Sequence, residues 1–126
     1  MHAMDCMIEN PDLTYETHLW SHYKTIAGLD EAGRGALAGP VAVGAVILPQ
    51  CEPEALLREL DGVRDSKQMT PLERESLAPR IQATARTWCV AFASAEEIDA
   101  YGIVPATRLA ALRALRAVPD TCSSAA

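Results

Sequence analysis

No stretch of the 126-residue chain is apolar for long enough to cross a bilayer, and no basic segment followed by an apolar one stands near Met1. A soluble, cytoplasmic protein without a membrane partner is therefore expected. Cys6, Cys51, Cys89 and Cys122 are scattered, with no Cys-x-x-Cys pair and no matching histidine spacing, which argues against a zinc site and against a disulfide framework. The Gly-x-x-x-x-Gly-Lys-Ser/Thr pattern of P-loop enzymes is also missing. Basic residues are in deficit: eleven Lys and Arg against seventeen Asp and Glu give a formal charge of −6, whereas phosphate binders usually carry a basic excess. The deficit is uneven, however. Residues 1–31 hold six acids against Lys24, while residues 32–126 hold eleven acids and ten bases. A cation bound among the leading acids would reverse the local sign.

What is present suits one domain of modest size, with 49% hydrophobic residues to fill a core. Residues 1–10 are expected to be a flexible N-terminus. Asn10-Pro11 reads as a cap followed by proline in the first helical position, opening a helix to about Trp20 to Tyr23. Apolar runs at 25–30 and 41–48, joined by a glycine-rich connection, predict an antiparallel pair of strands. A short helix over 53–60 is closed by Asp61-Gly62. Thr70 and Glu73 form a capping-box pattern that opens a helix toward Arg86, which Pro79 should kink or interrupt. A third strand is expected over 88–93, and Ser94 with Glu97 caps a brief helix to about Ala100. From Ile103 to Val118 an amphipathic helix sets Ile103, Ala106, Leu109 and Leu112 against Arg108, Arg113 and Arg116. Beyond Val118 the residues turn small and polar, so 119–126 is expected to be an aberrant tail and the sheet incomplete at its C-terminal side.

Asp30 and Glu31 follow the first of these apolar runs. Two adjacent carboxylates are costly to hold together unless a cation lies between them, and oxygen ligands alone favour Mg²⁺ or Mn²⁺ over zinc. Neighbouring residues of a regular strand point to opposite faces, so the pair is placed at the strand end, with Asp30 on the last pleat and Glu31 turning with the loop. Gly33-Arg34-Gly35 then offers bare backbone N–H groups and one guanidinium to a phosphate. For the two acids alone, a solvated turn on the surface is the plainer interpretation.

Asp30-Glu31-Ala32-Gly33-Arg34-Gly35, followed by Leu37-Ala38-Gly39-Pro40-Val41, closely resembles the signature of the type 2 ribonucleases H. Pro11-Asp12-Leu13, Leu19-Trp20, Asp65-Ser66-Lys67, Arg74-Glu75, Ala93-Ser94, Glu97-Ile98-Asp99 and Ala106-Thr107 fall in that family's order. The resemblance spans roughly residues 11–118 and implies the N-terminal part of a catalytic domain with a ribonuclease H-like α/β fold, a mixed sheet flanked by helices. It further implies a monomeric endonuclease that hydrolyses the RNA strand of RNA–DNA hybrids, and ribonucleotides embedded in DNA, with Mn²⁺ or Mg²⁺ held by four carboxylates. Asp30 and Glu31 match the first two, as catalytic metal ligands. Gly33, Arg34 and Gly35 match the loop that reads the ribose 2′-hydroxyl. Ser66 and Lys67 match a block near the substrate, although Asp65 and Ser66 could equally just shape a loop. Thr107 could offer a hydroxyl to the substrate, or simply cap or pack. The third and fourth carboxylates and a substrate-contacting tyrosine have no counterpart, and Asp120 is not given their role. A non-catalytic fragment with weak metal or nucleic-acid binding is the alternative. A glycosidase pair is disfavoured, because such acids flank a sugar from separated positions.

Overall fold

From Val41 to Ile47 burial alternates with every residue: Val41, Val43, Ala45 and Ile47 are buried, and Ala42, Gly44 and Val46 are only partly so. That period of two is the mark of a strand with one face on a core. In the computed structural model, which describes residues 11–33 and 39–118, this strand is the middle of three. The element order is α1 (Thr14–Trp20), β1 (Ala27–Ala32), β2 (Val41–Ile47), α2 (Pro53–Glu59), a 3-10 turn (Ser66–Gln68), α3 (Pro71–Thr84), β3 (Thr87–Ala93), α4 (Ala95–Tyr101) and α5 (Ile103–Ala117). This is the expected α/β order with one added turn. Two compact units share the chain: residues 25–33, 39–49 and 85–118 make one, and residues 11–24 and 50–84 the other.

In the first unit β1, β2 and β3 pair antiparallel in that order. Cross-strand partners share a face, so Ala27, Leu29 and Glu31 of β1 and Thr87, Cys89, Ala91 and Ala93 of β3 lie on the side of Val41, Val43, Ala45 and Ile47. That side packs against Ala106, Ala110 and Ala114 of α5 and against Val118 just past its end. Of the expected apolar face, Ala106 lies in the seam and Ile103 packs beside it, whereas Leu112 is 51% exposed and Ala110 and Ala114, in four-residue steps from Ala106, make the contact in its place. A helix backbone can come closer to a sheet over methyl groups than over isobutyl groups, which leaves the leucines to the flanks. Upstream, Ser94 and Glu97 form the expected capping box, with Glu97 N donating to Ser94 Oγ and Ser94 N to the Glu97 carboxylate. Gly102, at φ +89°, then ends α4 and starts α5 within a single residue.

The second unit holds the remaining helices. α1 begins at Thr14, three residues past Pro11, because the Asp12 carboxylate accepts the Thr14 amide at 3.0 Å and sets the first turn there. The proline is therefore outside the helix, and Asn10, its expected cap, lies outside the described residues. α2 carries Pro53 in its first turn and is followed by Gly62 at φ +90°. Arg80 of α3 donates to the carbonyls of Glu59 and Asp61, satisfying acceptors at the end of α2. The Thr70 and Glu73 box opens α3 as expected. Pro79 does not interrupt this helix. Both Pro79 and Glu75 are exposed, so the Glu75 carbonyl that proline leaves without its helical donor stays within reach of water.

Residues 1–10 and 119–126, which carry the expected flexible terminus and the tail, lie outside the described residues, as do Arg34 and Gly35. Among the described residues no helix is long and apolar enough to cross a membrane, and Cys51 and Cys89 are free thiols.

Candidate active site

Strand pairing in β1 continues to Ala32, opposite Ala42. This corrects the expectation that the strand ends at Asp30 and releases Glu31 into the loop. Val43 and Ala42 still offer backbone partners at this point, and the residue that can leave the strand sharply, Gly33, comes two positions later. Asp30 pairs with Gly44 on the open face of the sheet, whereas Glu31 pairs with Val43 on the face that meets α5 and is half-buried. The two carboxylates thus start from opposite sides of one strand. Asp30 Oδ1 also accepts the amide of Glu31 at 3.0 Å, a local bond that orients the acid.

The floor around Asp30 is low. Its neighbours on the same face of β1 are Gly28 and Ala32, and a Cβ built on Gly44 across from it would meet nothing within 4 Å. A ligand can therefore approach this carboxylate over backbone instead of over bulk. Gly33 has a different reason to be glycine. Its φ is +85°, and a Cβ there would stand 2.8 Å from the Pro40 carbonyl oxygen, closer than real Cβ atoms come. Closing the loop demands glycine at this position before any substrate does.

In the other unit, Asp65 caps the 3-10 turn by accepting from Lys67 N at 3.1 Å. Lys67 is exposed and Ser66 half-buried. Arg74, which the sequence marked only as part of a matching block, donates to the carbonyls of Ser66 and Met69; a basic residue four places past a helix-capping threonine was the available signal. Thr107 donates its hydroxyl to the Ile103 carbonyl at 2.7 Å, an i to i−4 bond inside α5 that commits its proton to the helix.

The donor chemistry of Asp30 and Glu31, oxygen only, suits a hard divalent cation. The ligand count does not close a cage: among the described residues no three His, Cys, Asp or Glu side chains gather as a metal site. Asp30 is the acid best placed to hold a cation from the open face, and Glu31 joins it only if the end of β1 departs from its regular pleat.

Against known proteins, residues 27–121 match the family model described as Ribonuclease HII. The Ribonuclease HII of Roseiflexus castenholzii is 51% identical over 100 residues, covering 77% of this chain and 43% of that protein. That of Chlorobaculum parvum is 46% identical over 110 residues, covering 84% and 52%, and that of Thermus thermophilus 43% identical over 113 residues, covering 90% and 50%. The chain spans about half the length of the curated relatives it matches. The crystal structure of the ribonuclease H2 from Pyrococcus horikoshii OT3 superposes with a TM-score of 0.52 at 37% identity, over 60% of this chain and 35% of that one. A family model that takes in β1 through α5, relatives sharing about half of the aligned residues, and a ribonuclease H2 structure that overlays the fold all agree: the chain belongs to the ribonuclease HII family.

Proposed function

We propose that the protein acts in endonucleolytic hydrolysis of RNA, cutting the RNA strand of RNA–DNA hybrids and ribonucleotides embedded in duplex DNA, with Mg²⁺ or Mn²⁺ as cofactor. The observation that carries this is Asp30, on the open face of β1 above a floor of Gly28, Ala32 and Gly44, three residues ahead of a glycine that the loop geometry requires. Asp30 and Glu31 are the acids assigned to the metal and to catalysis. When bound, the cation would lower the pKa of an attacking water and offset charge on the phosphodiester oxygens. The chain's own groups position the substrate. In this reading the glycines Gly33 and Gly35 would let backbone N–H groups come close to the ribose, where the 2′-hydroxyl separates RNA from DNA, and Arg34 between them would supply a guanidinium to a phosphate. Ser66 and Lys67 contribute a hydroxyl and an ammonium to a flanking phosphate. Thr107 is left with acceptor capacity only, and packing is its better role. The protein is further read as monomeric and cytoplasmic.

A second reading, binding of metal or duplex without turnover, is favoured by one observation: the two acids lie on opposite faces, and among the described residues no three His, Cys, Asp or Glu side chains gather as a metal site. Cleavage of a fluorescent RNA–DNA hybrid, assayed with Mg²⁺, with Mn²⁺ and with chelator, separates the two. Metal-dependent cleavage supports the enzyme, and duplex binding with no product at any metal concentration supports the binder.

A further inference from the structure

The turn that presents Ser66 and Lys67 is held from outside itself. Within it, Asp65 Oδ1 accepts from Lys67 N at 3.1 Å, the Asp65 carbonyl accepts from Gln68 N at 2.8 Å, and the Ser66 carbonyl accepts from Met69 N at 3.3 Å. The carboxylate bond that orients Lys67 is exposed, and water competes with such a bond. Arg74 adds a different kind of support. One of its guanidinium nitrogens donates to both the Ser66 and the Met69 carbonyls, each at 2.9 Å. These two acceptors bracket Lys67 and Gln68, so the charged clamp fixes both ends of the turn to the first turns of α3. That helix start is itself held by the Thr70 and Glu73 box, and Met69, the next residue out, is 8% exposed and anchors the turn in the interior. Donation by a cation makes these bonds stronger than the neutral ones inside the turn.

We propose that Arg74 is a positioning residue for nucleic acid: it holds the Ser66 to Gln68 turn so that the Lys67 ammonium and the Ser66 hydroxyl meet one duplex phosphate, a role that rests on the hybrid-binding reading above. Arg74 itself does not touch the phosphate. Its Nη1 is engaged by two carbonyls, and its effect passes through Lys67.

The test is binding of a fluorescein-labelled RNA–DNA hybrid in EDTA, followed by anisotropy over a range of salt, for the whole chain and for Lys67→Ala, Arg74→Ala, Arg74→Lys and the Lys67→Ala/Arg74→Ala double variant. Each alanine single is expected to weaken binding by roughly 3- to 10-fold and to lower the slope of log affinity against log salt by about 1. The double variant should be no worse than Lys67→Ala, and Arg74→Lys, a cation without the planar fork, should fall in between. In the protein without duplex, exchange of the Lys67 and Met69 amides should quicken in Arg74→Ala while amides in the middle of α3 keep their rate, which a general loss of stability would not produce. Additive losses in the double variant would mean that Arg74 meets phosphate directly, and the proposal falls. If Lys67→Ala weakens binding while both Arg74 variants bind like the parent, this inference is overturned and the substrate reading stands. If the parent itself fails to bind the hybrid, or Lys67→Ala binds as tightly as the parent, the substrate role of the turn falls and takes the inference with it. Should Arg74→Ala not fold, Arg74→Lys alone decides by the same criteria.

Discussion

On the face of the sheet that meets α5, Val41, Val43, Ala45 and Ile47 are between 0% and 3% exposed; on the other face, Trp88, Val90 and Phe92 of β3 are between 45% and 53% exposed. The same three strands build both. On the covered face, volume is matched: branched residues of β2 meet alanines of α5 and small residues of β1 and β3, and a change of one methyl group must be absorbed by close-packed neighbours. Over the β1 side of the open face, bulk is avoided, and Gly28, Ala32 and Gly44 leave Asp30 accessible. Burial is concentrated on one face, and the proposed ligand Asp30 stands on the other, with Glu31 on the covered side. Substitutions on the two faces should therefore fail in different ways.

The largest expected effect breaks function without touching the fold. Under the proposed cleavage reading, Asp30→Asn keeps shape and removes charge from the open face, so Mg²⁺-dependent cleavage should fall by orders of magnitude with an unchanged urea unfolding curve. Glu31→Gln, on the covered face, should cost less activity than Asp30→Asn; equal losses would mean that the end of β1 turns to bring both acids to one ion. Next comes packing. Val43→Ala removes two methyl groups from a nearly sealed site and should destabilise by about 2–3 kcal/mol in urea titration. Val90→Ala, on the open side, should cost about 1 kcal/mol or less. Comparable values for the two would show that the open face is covered in solution.

A pair of glycines sharpens the contrast at the level of the backbone. Gly33→Ala meets both a positive φ and the Pro40 carbonyl oxygen at 2.8 Å, and should cost about 1–2 kcal/mol and perturb the loop whether or not duplex is present. Gly44→Ala has open space and no unusual φ, so stability should stay within about 0.5 kcal/mol or rise slightly. Any effect of Gly44→Ala on cleavage then reports crowding at Asp30 alone. Hybrid and all-DNA duplexes, bound by each variant, give the check: a loss confined to the hybrid would support the 2′-hydroxyl role of Gly33, and an equal loss for both would leave it with loop closure alone.

Both capping boxes were legible in the sequence because a box is a local pattern, a hydroxyl and a carboxylate three residues apart, with no dependence on tertiary partners. The strands could be read from their apolar runs to within two residues at either end. What could not be read depended on neighbours. Glu31 stays in β1 because β2 happens to offer Val43 and Ala42 as partners, a fact held in the register and not in residues 25–33. The seam of α5 is alanine because a sheet of Val and Ala lies beneath it, whereas helical periodicity alone ranks Leu109 and Leu112 above Ala110 and Ala114. Asp30 was legible as a candidate through its motif, but the low backbone floor opposite it comes from Gly44, far away in sequence and across the ladder.

The smallest effect concerns how the helical layer is tied to the sheet, beyond the packing of its alanines. Arg113 of α5 makes two bonds to the Glu97 carboxylate, at 2.8 and 2.7 Å, and one to the Phe92 carbonyl at the end of β3, at 2.8 Å. The guanidinium, foremost, and the Ser94 amide hold the Glu97 carboxyl down at about 2, against an ordinary 4.5. A carboxyl whose pKa is depressed by folding contributes stability that is complete above the unfolded value, and loses it as pH falls through the folded one. The contribution of this pair should therefore decline from about pH 4.5 to about pH 2. The pair is solvent-exposed, so the effect is small and screened by salt. In thermal unfolding across that window, the parent should lose stability more steeply than Glu97→Gln, and the two curves should converge at the acid end. The Asp12 carboxyl is also held below the usual carboxylate range, chiefly by the Thr14 amide, so Asp12→Asn is the control for an acid loss that does not involve the sheet. Parallel curves for the parent and Glu97→Gln would show that Arg113 holds α5 to β3 through the Phe92 carbonyl alone, and that the carboxylate adds nothing to the tie.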